Sequence, residues 1–122
     1  MIFQFTWEKV LDGSKSQTRR VIDPHEMAVR GKGNRIEAII THGREKWRVG
    51  KTYAVQPGRG KKQVGRIRIT SIRQQRLDRI SPQDSIAEGF SSRQDFLHTW
   101  DKIHGSASRN VSVWVIAFEL VS

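Results

Sequence analysis

Apolar and polar residues alternate at the start of the chain, MIFQF, as they do in a short half-buried strand. The spacing then becomes helical. In WEKVLDG, Trp7, Val10 and Leu11 recur three and four apart, with Thr6 at the N-cap and Gly13 as the stop. RRVI at 19–22 opens a second strand. No period survives through residues 23–46, which mix one proline, three glycines and five Lys or Arg. They predict a long, mobile basic excursion with one apolar patch, IEAII, as a hairpin strand bounded by GKGN and HG.

Order returns at WRVGKTYAVQPG, which predicts a turn and a strand over Thr52–Gln56. RGKK then reads as a tight basic hairpin turn leading into QVGRIRITSIRQQRL. Along that strand Ile67 and Ile69 face one way, while Arg66, Arg68 and Thr70 face the other. Ile72 breaks the parity, which predicts a bulge or a strand end near Ser71. Two helices follow: SPQDSIAEGF has Ser81 as cap, Pro82 at the first helical position and Asp84 in the first turn. SSRQDFLHTWDKIHG puts Phe96, Leu97, Trp100 and Ile103 on one stripe before Gly105. The closing NVSVWVIAFELV is largely apolar at both parities, as in a central or barrel-closing strand. The sum is an α+β fold: a small β-barrel of five to six strands with two to three short helices.

Composition narrows the partners. The 122 residues suit one domain, 1–122, with 22 Lys and Arg against 12 Asp and Glu and a net charge of +10. That excess favours polyanions such as RNA or a nucleotide. No apolar run approaches membrane-spanning length, so no membrane partner is expected. With no cysteine, disulfides, thiolate zinc sites and cysteine nucleophiles are excluded. The N-terminus lacks the features of a signal peptide, and a cytoplasmic location is expected. His25, His42, His98 and His104 show no metal-ligand spacing, so neither a metal nor another cofactor is expected.

One loop concentrates donors. In LDGSKSQTRR, Gly13, Lys15, Thr18 and Arg20 fit G-x-K-x-x-T-x-R. This resembles the signature of ASCH domains, small barrels related to the PUA fold. The resemblance extends to WRVGKTYAV, GRIRITSI, ISPQDSIAEGF and VWVIAFELV, in that order. It implies one of two functions: RNA binding in a cleft beside the signature, or removal of the acetyl group from N4-acetylcytidine. For the second, it implies that Lys15 and Thr18 are catalytic together with a glutamate in the later helix, which by position is Glu88 of IAEGF. The chemistry is coherent, because a threonine hydroxyl needs a base to become a nucleophile and a lysine of lowered pKa can be that base.

The sequence therefore puts RNA or nucleotide binding first, in a basic cleft of a monomer or weak dimer. Its contact residues would be Gly13, Lys15, Thr18, Arg19 and Arg20, with Arg59, Lys61, Lys62, Arg66 and Arg68 as a further cationic face. Trp47, between Lys46 and Arg48, is the tryptophan expected to stack on a base, while Trp7, Trp100 and Trp114 are expected in the core. Hydrolysis of an acylated nucleoside by Lys15, Thr18 and Glu88 comes second. Ribonuclease activity comes third, with no base identified for it.

Overall fold

The last strand is apolar at both parities because both of its faces are covered. In the computed structural model, which describes residues 1–121, it is β7 (Ser112–Leu120). It lies between β1 (Gln17–Val21) and β6 (Gly65–Arg76) in an antiparallel sheet. Trp114 and Ile116 join Ile36, Ile39, Trp47, Ile69 and Ile72 in one cluster. Val113 and Val115 point the other way, to Leu77, Phe96, Leu97 and Trp100. The two faces of one strand thus serve different cores, as period-two alternation dictates.

The sheet has seven strands, adding β2 (Glu26–Arg30), β3 (Ile36–Thr41), β4 (Arg44–Arg48) and β5 (Thr52–Val55). Its path is β1-β7-β6-β3-β2, with β4 paired to β3 and β5 to β6. Three helices complete the α+β fold: α1 (Trp7–Leu11), α2 (Pro82–Ala87) and α3 (Arg93–His104). The end strands β1 and β2 are not paired with each other, so the expected barrel is curled but not closed. The curl is visible across the sheet: Glu26 of β2 accepts a hydrogen bond from Trp114 Nε1 of β7 at 3.1 Å, although two strands separate them in the path.

The expected breaks in pattern hold in part. The bulge falls between Ile69 and Ser71. Ser81 Oγ accepts from the Asp84 N–H at 3.0 Å and so caps α2. Thr6, by contrast, sits at the N-cap of α1 with no side-chain cap bond. MIFQF forms no strand, only a parallel bridge between Ile2 and Gln56. RGKK overlaps a tight turn, in which the Lys61 N–H donates to the Gly58 carbonyl at 3.1 Å, but that turn lies within a longer connection, 56–64. Ile103 leaves the helix stripe and is 51% exposed.

The largest correction concerns residues 23–46. They are no mobile excursion but the antiparallel meander β2–β3–β4. Their alternation is hidden because β2 is an end strand whose residues, Glu26 apart, are exposed or half-buried. A polar residue fixes the meander: Glu26 also accepts from Lys46 Nζ at 2.6 Å and from the Asp23 N–H at 2.8 Å. Burial would raise this carboxyl's pKa, but Lys46, the Asp23 amide and the Trp114 indole together hold it below its ordinary 4.5. A carboxylate whose folded pKa is depressed stabilises above the unfolded value and loses that contribution as pH falls through the folded one. Urea midpoints should therefore fall as pH drops below 4.5. Glu26→Gln should be less stable near neutrality and should lose part of that slope. Parallel pH curves for the two proteins would rule out Glu26 as an acid-sensitive anchor.

Candidate functional site

The donor-rich loop is built by local turn chemistry. The Asp12 carboxylate accepts from the Ser14 N–H at 2.8 Å, and Gly13 takes φ +83°, a conformation that favours glycine. The Lys15 N–H returns to the Lys9 carbonyl at 3.0 Å. Ser16 is held on both sides, donating to the Ala87 carbonyl at 2.7 Å and accepting from the Phe118 N–H at 2.9 Å. The loop is thereby pinned between the end of α2 and β7, which turns Lys15 inward to 5% exposure.

Glu88 is at the C-cap of α2 and only 3% exposed. Lys15 Nζ donates to its Oε1 at 2.7 Å and to its backbone carbonyl at 2.9 Å. Arg19 donates to its Oε2 at 3.1 Å. The other Arg19 nitrogens reach Asp84 at 3.1 Å and Gln75 at 3.0 Å, and Arg73 joins Asp84 at 2.7 Å. Burial lowers the Lys15 pKa from its ordinary value; the Glu88 charge and hydrogen bond oppose that, and Arg20 and Arg19 add to it. For Asp84, burial pushes upward, but Gln17, Arg19 and Arg73 hold the carboxyl below its ordinary value.

Gly89, the next residue, has φ +96°. A Cβ there would lie 3.0 Å from Lys9 Cδ and 3.4 Å from Lys15 Cβ. Gly89→Ala is accordingly expected to cost about 1–3 kcal/mol, through backbone strain and crowding of the Lys9 side chain. Thermal denaturation with a loss below about 0.5 kcal/mol would contradict this.

Beside this network is a cleft of about 360 Å³. Its polar lining includes Lys15, Thr18, Arg19, Arg20 and Glu88, and its aromatic lining includes Phe3, Phe5, Phe90, Phe96 and Trp100. Thr18 is 5% exposed, whereas Phe5 is 71% exposed and available to a ligand. Arg20 donates to the Ile2 carbonyl at 2.8 Å and stands over the Phe3 ring, its guanidinium carbon 5.2 Å from the centroid. Its Nε is buried and has no partner among the described residues.

The remaining candidate residues are elsewhere. Gly13 shapes the turn without lining the cleft. Arg59, Lys61 and Lys62 are on the exposed 56–64 connection. Arg66 bonds to Thr52, and Arg68 to Glu119. Trp47 is 7% exposed in the sheet core, where it packs with Ile39 and cannot offer a face to a base. Three residues at or behind the cleft escape a reading of the sequence. His104 stacks on Trp100 at 4.0 Å, and the signal for it is its i+4 spacing from that tryptophan on α3. Phe90 follows Glu88 and Gly89 directly. Asp84 has the sequence marks of a helix-start residue and none of a partner for Arg19.

The backbone arrangement has counterparts among solved structures. An ASCH domain from Lactobacillus crispatus JV V101 superimposes with a TM-score of 0.62 at 15% identity, over 93% of this chain and 69% of that one. A protein from Enterococcus faecalis V583, described by the family model DUF984, gives a TM-score of 0.63 at 13% identity, over 94% and 69%. The chain has an ASCH-like fold. No protein-family model matches its sequence, and a search of the curated proteins finds no match. In this ASCH-like fold the G-x-K-x-x-T-x-R residues span the connection from α1 into β1, next to the cleft.

Proposed function

We propose that the cleft binds a nucleoside-sized ligand and hydrolyses an acyl amide on its base, with N4-acetylcytidine or a related acylated nucleoside as the substrate class. The observation that carries this reading is the meeting of Lys15 and Glu88 at 2.7 Å beside Thr18 in an aromatic-lined cleft. A volume of about 360 Å³ suits a small molecule better than a strand of RNA. The signature cations Lys15 and Arg19 are also already paired with carboxylates, which makes them poor free contacts for phosphates.

In this mechanism neutral Lys15 takes the proton of the Thr18 hydroxyl as Oγ1 attacks the acyl carbon. The C–N bond breaks, and the Lys15 proton goes to the departing amine. Water then hydrolyses the threonyl ester and releases the acid, with Lys15 again as base. Glu88 fixes the lysine, and Arg20 is the donor available to an oxygen of the substrate. Incubation with N4-acetylcytidine should yield cytidine and acetate in equal amounts. No turnover with folded protein would end the hydrolase reading.

The net charge of +10 favours a second reading, RNA or nucleotide binding without chemistry. In both readings residues 1–122 act as one domain, monomeric or weakly dimeric, in the cytoplasm. No helix among the described residues is long and apolar enough to cross a membrane.

A further inference from the structure

The second large concavity is where β3 and β6 part. These strands pair along their backbones at one position only, Ile36 with Ile72, and the gap beyond it opens into a cleft of about 740 Å³. Arg30, Lys32 and Arg35 line it from the β2–β3 side and Arg73 from β6, with Glu37 as the carboxylate among them. Thr70, Ser71 and Gln74 add neutral donors, and no aromatic side chain lines it. The cations differ in availability. Arg73 is engaged by Asp84, and Arg30 bonds to the Asn34 carbonyl. Lys32 and Arg35 are exposed and form no ion pair among the described residues.

We infer that this cleft binds the phosphodiester backbone of a nucleic-acid strand, with Lys32 and Arg35 as its principal contacts. Several cations and hydroxyls with no stacking surface suit phosphates and not bases. The cleft, at about 740 Å³, is also much larger than one small anion needs. This inference does not depend on the amide chemistry, since a free nucleoside carries no phosphate for the cleft to hold. It gives the β2–β3–β4 meander a function separate from the signature residues.

The test is fluorescence anisotropy of a labelled short single-stranded RNA, and of the DNA strand of the same sequence, across a salt series. The Lys32→Glu/Arg35→Glu variant should weaken binding at least about tenfold, and losing two phosphate contacts should flatten the log–log salt slope by about 1.4. Glu37→Gln should bind several-fold tighter, a gain that misfolding cannot produce. Lys61→Glu/Lys62→Glu makes the same charge change on the 56–64 connection and should have a much smaller effect.

Equal losses in the two double variants would mean general charge attraction and overturn the inference. So would wild-type affinity in Lys32→Glu/Arg35→Glu, or binding to anionic vesicles but to neither strand. Displacement of the strand by equimolar inorganic phosphate would reduce the site to one for a single anion and would likewise overturn it. Preference between the RNA and DNA arms identifies the strand. Turnover of N4-acetylcytidine, if present in the wild type, should be unchanged in Lys32→Glu/Arg35→Glu, so the two proposals fail separately.

Discussion

Glu88→Ala is expected to destabilise the protein by about 3 kcal/mol, near the low end for breaking a buried ion pair. The variant leaves Lys15, 5% exposed, with only the residue-88 carbonyl as a partner. Arg19 keeps Asp84 and Gln75, which is why the larger figures for stranded buried charges do not apply. Domains of this kind have about 5–15 kcal/mol in total, so the loss is a large share of the whole. Adding Lys15→Met should recover part of it, because the uncompensated ammonium is replaced by an apolar chain of similar length. Urea denaturation of the two single variants and the double variant measures the coupling. A loss below about 0.5 kcal/mol for Glu88→Ala would mean that the pair contributes no stability.

Thr18→Ala is expected to lower turnover of the acylated nucleoside by about a thousandfold or more, because the attacking oxygen is removed outright. Thr18→Ser keeps that oxygen and should retain much of the activity. Loss of a methyl and a hydroxyl at one strand position should change stability by only about 1 kcal/mol, so the defect is catalytic. The rate should also depend on pH in a defined direction. Lys15 acts as a base only when neutral, and its pKa lies below the ordinary 10.5, so kcat/KM should rise with pH through a value below 10.5. Lys15→Arg should be inactive and show no such rise. Full activity in Thr18→Ala would remove the threonyl ester from the mechanism, leaving at most attack by water.

The cap of α2, the bulge near Ser71 and the two-faced last strand were legible because each follows from local rules: which residues bond to their own turn, and how side chains alternate. Lys15 and Thr18 were legible as a motif. Glu88 was reached only by position, since a glutamate ending a short helix is as often solvated as buried. The meander at 23–46 was missed because an end strand with exposed faces carries no alternating signal, and because its anchor, Glu26 to Trp114, joins residues far apart in sequence.

The sequence alone determined the α+β class, the three helices, the cationic surplus and which residues could supply the chemistry. The tertiary structure decided which charges are free. It neutralised Lys15 and Arg19 against Glu88 and Asp84, buried Trp47, and left Lys32 and Arg35 open on a second cleft. Charge is a property of composition, but its availability depends on desolvation and on the nearest opposite charge, and both are fixed by contacts between distant segments.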